Sequence, residues 1–170
     1  KSKAGSEIDL LCFVCPLLPE QMVTMKEEEV INKIVATIKL AEKHRSSLAV
    51  LAGFTSIIGN EGIEISKCVN IPVTSGNTYT AFMTLKGIYQ AAALLELDII
   101  NSKCAVIGAT GDIGSTCVKS LANSVNTISL SARSQPKLFE FSNKIKNGNG
   151  VKIEIHQKTE DAVRNADIII

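Results

Sequence analysis

The chain has 170 residues, of which 45% are hydrophobic, 21% charged and 4% aromatic, and its net charge is +1. This apolar fraction supports a folded core and excludes global disorder. The near-neutral charge provides no electrostatic footprint for a nucleic-acid-binding protein. No apolar run approaches the roughly 20 residues of a membrane span, so we expect no such span. Five cysteines, an odd number, favour reduced thiols and a cytoplasmic location.

The N-terminal part alternates strand-like and helix-like segments, which predicts an α/β fold. Ile8–Cys15 has the pattern of a buried strand, which Pro16 ends. A helix is predicted from about Met25 to His44, with Thr24 and Glu27 as its capping box. The apolar stripe of this helix consists of Val30, Ile31, Ile34, Val35, Ile38 and Ala41.

The next apolar run, Leu48–Ala52, predicts a strand that Gly53 ends. Residues 59–77 contain turn signals without a clear period. A second long helix is predicted from about Thr78 to Leu97. Its predicted core face consists of Ala81, Phe82, Leu85, Ile88, Tyr89, Ala92 and Leu95.

After Asp98 short strands and helices alternate strictly. The predicted elements are a strand at Lys103–Ile107, a helix at Asp112–Asn123, a strand at Thr127–Leu130, a helix at Pro136–Lys146, a turn at Asn147–Gly150, a strand at Val151–Ile155, a helix at Thr159–Asn165 and a strand at Asp167–Ile170. An apolar strand needs a following element to cover it, so we expect this chain to be part of a longer protein.

A glycine-rich turn joins the first of these strands to the first helix. Its residues are Gly108, Ala109, Thr110, Gly111, Asp112, Ile113 and Gly114. The spacing is G-x-x-G-x-x-G, whereas the common dinucleotide fingerprint is G-x-G-x-x-G. Gly108 permits a tight turn, Gly111 permits close approach of a pyrophosphate, and Gly114 permits close packing of helix and strand. Because a strand precedes the turn and a helix follows it, a nucleotide site is favoured over a plain turn.

The residues that follow the predicted strand Thr127–Leu130 indicate whether the cofactor is NAD(H) or NADP(H). NAD-binding proteins usually place an acidic residue there, on the ribose 2′-hydroxyl. The segment reads Ser131, Ala132, Arg133 and Ser134, with no acid. Since an arginine between two hydroxyls suits a 2′-phosphate, we predict NADP(H) rather than NAD(H). The alternative is that Arg133 is a solvated surface residue.

Two polar turns follow apolar segments in the N-terminal part. Thr74–Thr78 and Gly53–Ser56 offer hydroxyl and amide groups where ligands bind open α/β sheets, although composition alone favours ordinary helix and turn capping. Cys12 and Cys15 form C-x-x-C without a second pair, so no metal site is predicted. Cys104 and Cys117 are predicted to be small core residues.

Four sequence blocks resemble the long-chain acyl-acyl-carrier-protein reductases and the predicted amino-acid dehydrogenases related to them. The blocks are Leu18–Glu20, Leu51–Ile58, Thr74–Thr78 and Val106–Ser115, and Ala132-Arg133 followed by a helix also fits. They occur in order over about residues 16–170. The resemblance implies binding of NADPH and reduction of a fatty acyl thioester, possibly of a carrier protein, to an aldehyde through an acyl-cysteine intermediate.

By position, the resemblance also assigns residues. Those lining the substrate cleft would be Thr55, Ser56, Ser75, Gly76, Asn77 and Thr78. The glycine turn and residues 131–134 would hold the cofactor. The family's nucleophilic cysteine lies in the half that would follow Ile170, so none of the five cysteines inherits that role and the catalytic residues stay unknown.

The sequence therefore predicts an N-terminal α/β substrate-side region, residues 1–97, followed by the first half of a Rossmann-type parallel sheet, residues 98–170. The leading function is an NADP(H)-dependent oxidoreductase acting on an acyl thioester. A dehydrogenase of a small amino or hydroxy acid, similar in layout to shikimate dehydrogenase, and a non-catalytic NADP(H)-binding module are the alternatives. A homo-oligomer is compatible with each of them.

Overall fold

The computed structural model describes Gly5, residues 7–146 and residues 150–170. The predicted turn Asn147–Gly150 includes residues 147–149, which lie outside the described residues. The chain divides into two compact units, Lys1–Gly76 and Asn77–Ile170. The sequence places the division after residue 97 instead. The difference arises because the helix Asn77–Leu94 packs against the helix Asp112–Leu121 and so joins the second unit.

The first unit is built from short elements around one long helix. Its elements are α1 (Pro19–Thr24), α2 (Glu27–Lys43), β1 (Ala49–Val50), a 3-10 turn (Gly53–Ser56), α3 (Ile58–Glu61), α4 (Ile63–Ser66) and β2 (Val73–Thr74). Strands β1 and β2 pair in parallel, with Ala49 opposite Val73. The sequence did not predict β2, since two residues are too few for a visible alternation of apolar and polar side chains.

The second unit contains a four-stranded parallel sheet. Its elements are α5 (Asn77–Leu94), β3 (Lys103–Ile107), α6 (Asp112–Leu121), β4 (Thr127–Ser131), α7 (Gln135–Lys146), β5 (Lys152–His156), α8 (Thr159–Val163) and β6 (Ile168–Ile169). The strand order is β5-β4-β3-β6. In the unit's own numbering this is 3-2-1-4, the order that begins a Rossmann sheet. The predicted fold class is confirmed.

The core of the second unit lies between the sheet and the helices α6 and α7. Ile128 and Leu130 of β4 are fully buried in one cluster with Val118, Leu121 and Leu138 of these helices. Side chains alternate across a strand, so the intervening residues of β4 face the opposite side of the sheet. The predicted strands and helices of this unit are confirmed, with ends that differ by a few residues.

The predicted strand at Ile8–Cys15 is wrong. The structure assigns no helix or strand to residues 7–15. A strand requires a hydrogen-bonded neighbour, and within the described residues no strand pairs with this segment. Ile8, Leu10 and Val14 are instead 78%, 88% and 81% exposed.

Helix α2 confirms its predicted stripe but not its predicted cap. Val30, Ile34, Val35, Ile38 and Ala41 are buried in the first unit, and Ile31 is half-buried. The capping box of Thr24 and Glu27 is wrong, because α2 begins at Glu27 after Lys26. Thr24 ends α1, where its hydroxyl donates to the carbonyl oxygen of Glu20 at 2.8 Å.

Helix α5 has a narrower core face than its sequence predicts. Ala81 and Ala92 are buried, and Leu85 and Ile88 are partly buried against the core of the second unit. The other predicted core residues are exposed: Phe82 by 56%, Tyr89 by 38% and Leu95 by 76%. The helix is apolar over most of its circumference, so a 3.6-residue period cannot identify which face is covered. Among the described residues no helix is both long and apolar enough to cross a membrane.

Candidate functional site

The glycine turn between β3 and α6 is tied to the end of the neighbouring strand. Gly108 has φ +73°, a left-handed conformation that favours glycine. The amides of Gly108 and Ala109 donate to the carbonyl oxygen of Ser131 at 2.8 and 3.1 Å, and the amide of Gly111 donates to the carbonyl oxygen of Gly108 at 2.9 Å. These bonds hold the turn across the carboxyl ends of β3 and β4.

The start of α6 packs directly on this turn. A Cβ atom on Gly114 would lie 2.5 Å from the carbonyl oxygen of Gly108 and 3.2 Å from the Cα of Ala109. Both neighbours are backbone atoms, so a side chain at position 114 would displace the turn. The absence of a side chain at Gly114 thus determines how closely the helix approaches the strand.

The N-terminus of α6 presents hydrogen-bond donors at the end of the sheet. The helix begins after Gly111, which has no side chain to cap it. The amides of Asp112, Ile113 and Gly114 have no acceptor within the helix, because the first intrahelical bond joins the amide of Ser115 to Gly111 at 2.8 Å. Free amides at the positive end of a helix dipole are the usual donors to a bound anion, so the geometry of residues 108–114 is the kind that would fit a pyrophosphate.

The segment after β4 brings a cation to the same end of the sheet. Ser131 is buried, Ala132 and Ser134 are half-buried, and Arg133 is exposed. The side chain of Gln135 donates to the carbonyl oxygen of Ala132 at 3.0 Å, which orders the segment as it enters α7. Among the described residues no ion pair occupies the Arg133 guanidinium, so it is available to a phosphate.

Lys137 is a second cation here, and sequence reasoning missed it. It lies in the first turn of α7 and lines a cavity of about 150 Å³. The other residues lining this cavity are Thr110, Glu140, Phe141 and Lys144. Thr110 belongs to the glycine turn, so Lys137 lies beside the predicted phosphate site. The available signal was a lysine four residues after Arg133, near the start of the predicted helix Pro136–Lys146.

An ion-pair network crosses the face of the sheet opposite α6 and α7. The Glu154 carboxylate accepts from Lys152 at 2.8 Å, from Lys103 at 3.0 Å and from the Ser129 hydroxyl at 3.1 Å. Hydrogen bonds from Lys152, Lys103 and Ser129 lower the pKa of Glu154 to about 2. The three strands bring these residues together through their parallel register, which the sequence alone does not give.

The polar turns of the first unit follow the carboxyl ends of its two strands. The hydroxyl of Thr55 donates to the carbonyl oxygen of Ala52 at 2.8 Å and accepts from the Ala52 amide at 3.1 Å. The hydroxyl of Ser56, which is buried, donates to the carbonyl oxygen of Gly53 at 2.7 Å. After β2, the amide of Gly76 donates to the Thr74 hydroxyl at 3.3 Å. Part of this hydrogen-bonding capacity therefore stabilises the turns themselves.

The six residues predicted for the substrate cleft lie in both units. Thr55, Ser56, Ser75 and Gly76 are in the first unit, and Asn77 and Thr78 begin α5 in the second. Ser75, Gly76 and Asn77 are half-buried, whereas Thr78 is exposed. Their assignment to one substrate site stays a prediction.

The buried cysteines do not have the environment of a nucleophile. Cys104 and Cys117 are fully buried. Burial raises the pKa of Cys104 to about 12, with a further contribution from Cys117, and burial also raises the pKa of Cys117. The thiolate is the reactive form, so both residues are core residues, as predicted.

The chain is similar in sequence to a reductase of known activity. It is 30% identical over 169 residues to the long-chain acyl-[acyl-carrier-protein] reductase of Synechococcus elongatus, a match that covers 94% of the chain and 46% of that reductase. The chain is similar to the long-chain acyl-carrier-protein reductases. The resemblance predicted from the sequence blocks is confirmed. The chain spans about half the length of this curated relative.

Further similarities are more distant. The chain is 28% identical over 112 residues to the aminotransferase PigE of a Serratia species. This match covers 66% of the chain and 13% of PigE. No family model matches the chain. The L-tryptophan dehydrogenase of Nostoc punctiforme aligns with a TM-score of 0.44 at 14% identity, covering 86% of this chain and 40% of that one. The shikimate 5-dehydrogenase of Listeria monocytogenes aligns with a TM-score of 0.39 at 13% identity, covering 81% of this chain and 53% of that one.

Proposed function

We propose that this chain is part of an NADP(H)-dependent oxidoreductase that reduces an acyl thioester to an aldehyde. One structural observation carries the cofactor assignment: the free amides at the start of α6 lie beside the end of β4, where Arg133 is exposed and no acidic side chain occurs. The likeness to an acyl-carrier-protein reductase over 94% of the chain supports the thioester.

The residues present fit a dinucleotide with a 2′-phosphate. The amides of Asp112, Ile113 and Gly114 would hold the pyrophosphate. Arg133 and Lys137 would hold the 2′-phosphate, because charge-assisted bonds from two cations favour a dianion over a hydroxyl. The nicotinamide would supply a hydride when it is bound. The role of the chain in this scheme is to bind and orient the cofactor.

The acyl side of the reaction rests on the likeness to the reductase. A thioester keeps a reactive carbonyl, and a thiolate is a suitable nucleophile for it. The buried Cys104 and Cys117 do not supply that thiolate. We propose that Thr55, Ser56 and the Ser75–Thr78 segment contact the substrate, and that an acyl carrier protein delivers it.

A titration with both nicotinamide cofactors tests the cofactor assignment. We expect the full-length protein to bind NADPH more tightly than NADH. The substitution Arg133→Ser should weaken NADPH binding by roughly 10- to 100-fold, since a charge-assisted bond contributes about 1.5–3 kcal/mol, and should leave NADH binding nearly unchanged. Arg164→Ser is the matched control, because Arg164 is exposed and pairs at 3.8 Å with Asp161 outside this site. Equal loss of both cofactors in Arg133→Ser would contradict the 2′-phosphate role.

NADPH oxidation with a panel of acyl thioesters tests the reaction. Oxidation that depends on the thioester, with release of an aldehyde, is the expected result. Cofactor binding without such oxidation would reject the thioester while leaving the cofactor site intact. Oxidation or reduction of a small amino or hydroxy acid in its place would identify a dehydrogenase.

A further inference from the structure

The cavity between the glycine turn and α7 has three charged side chains in its lining. Its volume is about 150 Å³, and it is lined by Thr110, Lys137, Glu140, Phe141 and Lys144. We refer to it as the α7 cavity. The four residues that α7 contributes follow the spacing i, i+3, i+4 and i+7, so they share one face of that helix. Because Thr110 belongs to the glycine turn, the charges on this face lie beside the proposed phosphate site.

Glu140 has a lysine one helical turn away on each side. It lies three residues after Lys137 and four residues before Lys144, and side chains at both spacings are neighbours on a helix surface. The structure pairs it with Lys144, whose ammonium group donates to the Glu140 carboxylate at 2.7 Å. This hydrogen bond lowers the pKa of Glu140. A glutamate four residues before a lysine is also the favoured order for a helical ion pair.

The pairing of Glu140 with Lys144 leaves Lys137 without an acidic partner. Within the part of the chain that the structure describes, the ion pairs do not include Lys137. Two lysines and one glutamate give the lining of the α7 cavity a formal charge of +1. Without Lys144 this charge would be zero, and Lys137 would be the cation nearest to Glu140 along the helix. A carboxylate on the Lys137 ammonium would compete with a phosphate for the same donors.

We infer that Lys144 is a positioning residue for cofactor selection: it holds the Glu140 carboxylate and so leaves the Lys137 ammonium available to the 2′-phosphate of NADP(H). The inference rests on the proposed function, because it concerns the same phosphate. Lys144 acts through Glu140 and needs no contact with the cofactor. NADH has no 2′-phosphate, so its binding does not depend on this arrangement.

The ratio of NADPH affinity to NADH affinity in the full-length protein tests this inference. The titrations are made at low ionic strength, because salt screens exposed charges. Lys144→Met removes the cation, and we expect it to lower the ratio by roughly threefold, within the range of an exposed ion pair. Lys144→Arg keeps a cation for Glu140 and should keep the wild-type ratio. Lys119→Met is the matched control, since Lys119 is exposed in the last turn of α6 and does not line the α7 cavity.

A double-mutant cycle separates positioning from a simple effect of charge. In the Glu140→Gln background no carboxylate remains to be held, so Lys144→Met should lose most of its effect on the ratio. In the Lys137→Gln background no ammonium remains to be kept available, so the effect should again be small. If Lys144→Met lowers the ratio by the same factor in either background as in the wild type, Lys144 acts by its own charge and the inference is overturned.

The inference and the proposed function fail in different ways. A wild-type protein that does not prefer NADPH contradicts the proposed function, and the inference with it. A wild-type preference for NADPH that Lys144→Met leaves unchanged overturns the inference alone. Equal weakening of NADPH and NADH binding in Lys144→Met would show a general structural role and would also overturn it.

Discussion

The two compact units use parallel strands in different ways. In the second unit, β3 and β4 pair over five residues each, and their register fixes both the glycine turn and the Glu154 network. In the first unit, β1 and β2 pair over two residues each, and local side-chain bonds hold the turns that follow them. The proposed cofactor side therefore depends on sheet register, whereas the proposed substrate side depends on local hydrogen bonds.

The largest effect is expected where the sheet and helix meet at Gly114. Gly114→Ala places a Cβ 2.5 Å from the Gly108 carbonyl oxygen, so the turn or the helix must move. We expect a loss of about 3 kcal/mol in the stability of the second unit, at the upper end for overpacking, together with loss of NADPH binding. Hydrogen exchange of the β3 and β4 amides measures the stability.

Gly87→Ala is the control for this substitution. Gly87 lies within α5, and an added Cβ would meet no atom within 4 Å. Alanine is favoured over glycine inside a helix by about 0.8–1.0 kcal/mol. Slower exchange in Gly87→Ala and faster exchange in Gly114→Ala are expected. Similar behaviour of the two variants would show that close packing at Gly114 is unimportant.

The second largest loss of stability is expected on substitution of Glu154, which joins three strands of the second unit. Its pKa of about 2 lies below the ordinary value, so the ionised carboxylate stabilises the folded protein at neutral pH. That stabilisation is present above about pH 5 and is lost as the pH falls towards 2. After allowance for solvent screening, we expect Glu154→Gln to cost about 1–2 kcal/mol at pH 7.

A pH series of unfolding experiments checks this prediction. The stability difference between wild type and Glu154→Gln should shrink steadily between pH 5 and pH 2. Glu140→Gln is the control, since Glu140 forms an exposed pair with Lys144 at 2.7 Å, and it should change the stability much less than Glu154→Gln at every pH. A difference at Glu154 that did not depend on pH would argue against the ion-pair network.

The smallest effect is expected in the first unit. Thr55→Ala removes both bonds between the Thr55 hydroxyl and the backbone of Ala52. We expect a local loss of about 1 kcal/mol, visible as faster exchange of the Ala52 amide. Thr37→Ala is the control, because Thr37 is within α2 and its hydroxyl bonds the Lys33 carbonyl oxygen of the same helix. Protection of the Ala52 amide that survives Thr55→Ala would contradict the local origin of this turn.

The sequence predicts the second unit well for a physical reason. Each strand from Lys103 onwards is a short apolar or alternating segment between turn signals. The glycine spacing then identifies the turn without the structure. The residues Lys137, Lys103 and Ser129 were missed, because helix packing and strand register bring them to their partners.

The first unit and α5 show where sequence patterns are insufficient. The apolar run at Ile8–Cys15 suits a strand, but a strand also needs a neighbour that composition does not reveal. Helix α5 carries apolar residues on two faces, and the pattern does not distinguish the covered face, with Ala81 and Ala92, from the exposed face, with Phe82 and Tyr89. The sequence misplaced the cap of α2 because it did not predict α1, a helix of only six residues. Thr24 is the last residue of α1 and therefore does not cap α2, which begins at Glu27.

We propose that residues 108–114 and 131–134 bind NADP(H) through its pyrophosphate and 2′-phosphate. The most direct measurement is the ratio of NADPH affinity to NADH affinity in the full-length wild-type protein, Arg133→Ser and Lys137→Gln. We expect a strong preference for NADPH in the wild type that falls by roughly tenfold or more in Arg133→Ser and by a smaller factor in Lys137→Gln. A ratio that neither substitution changes, or a wild-type preference for NADH, would contradict it.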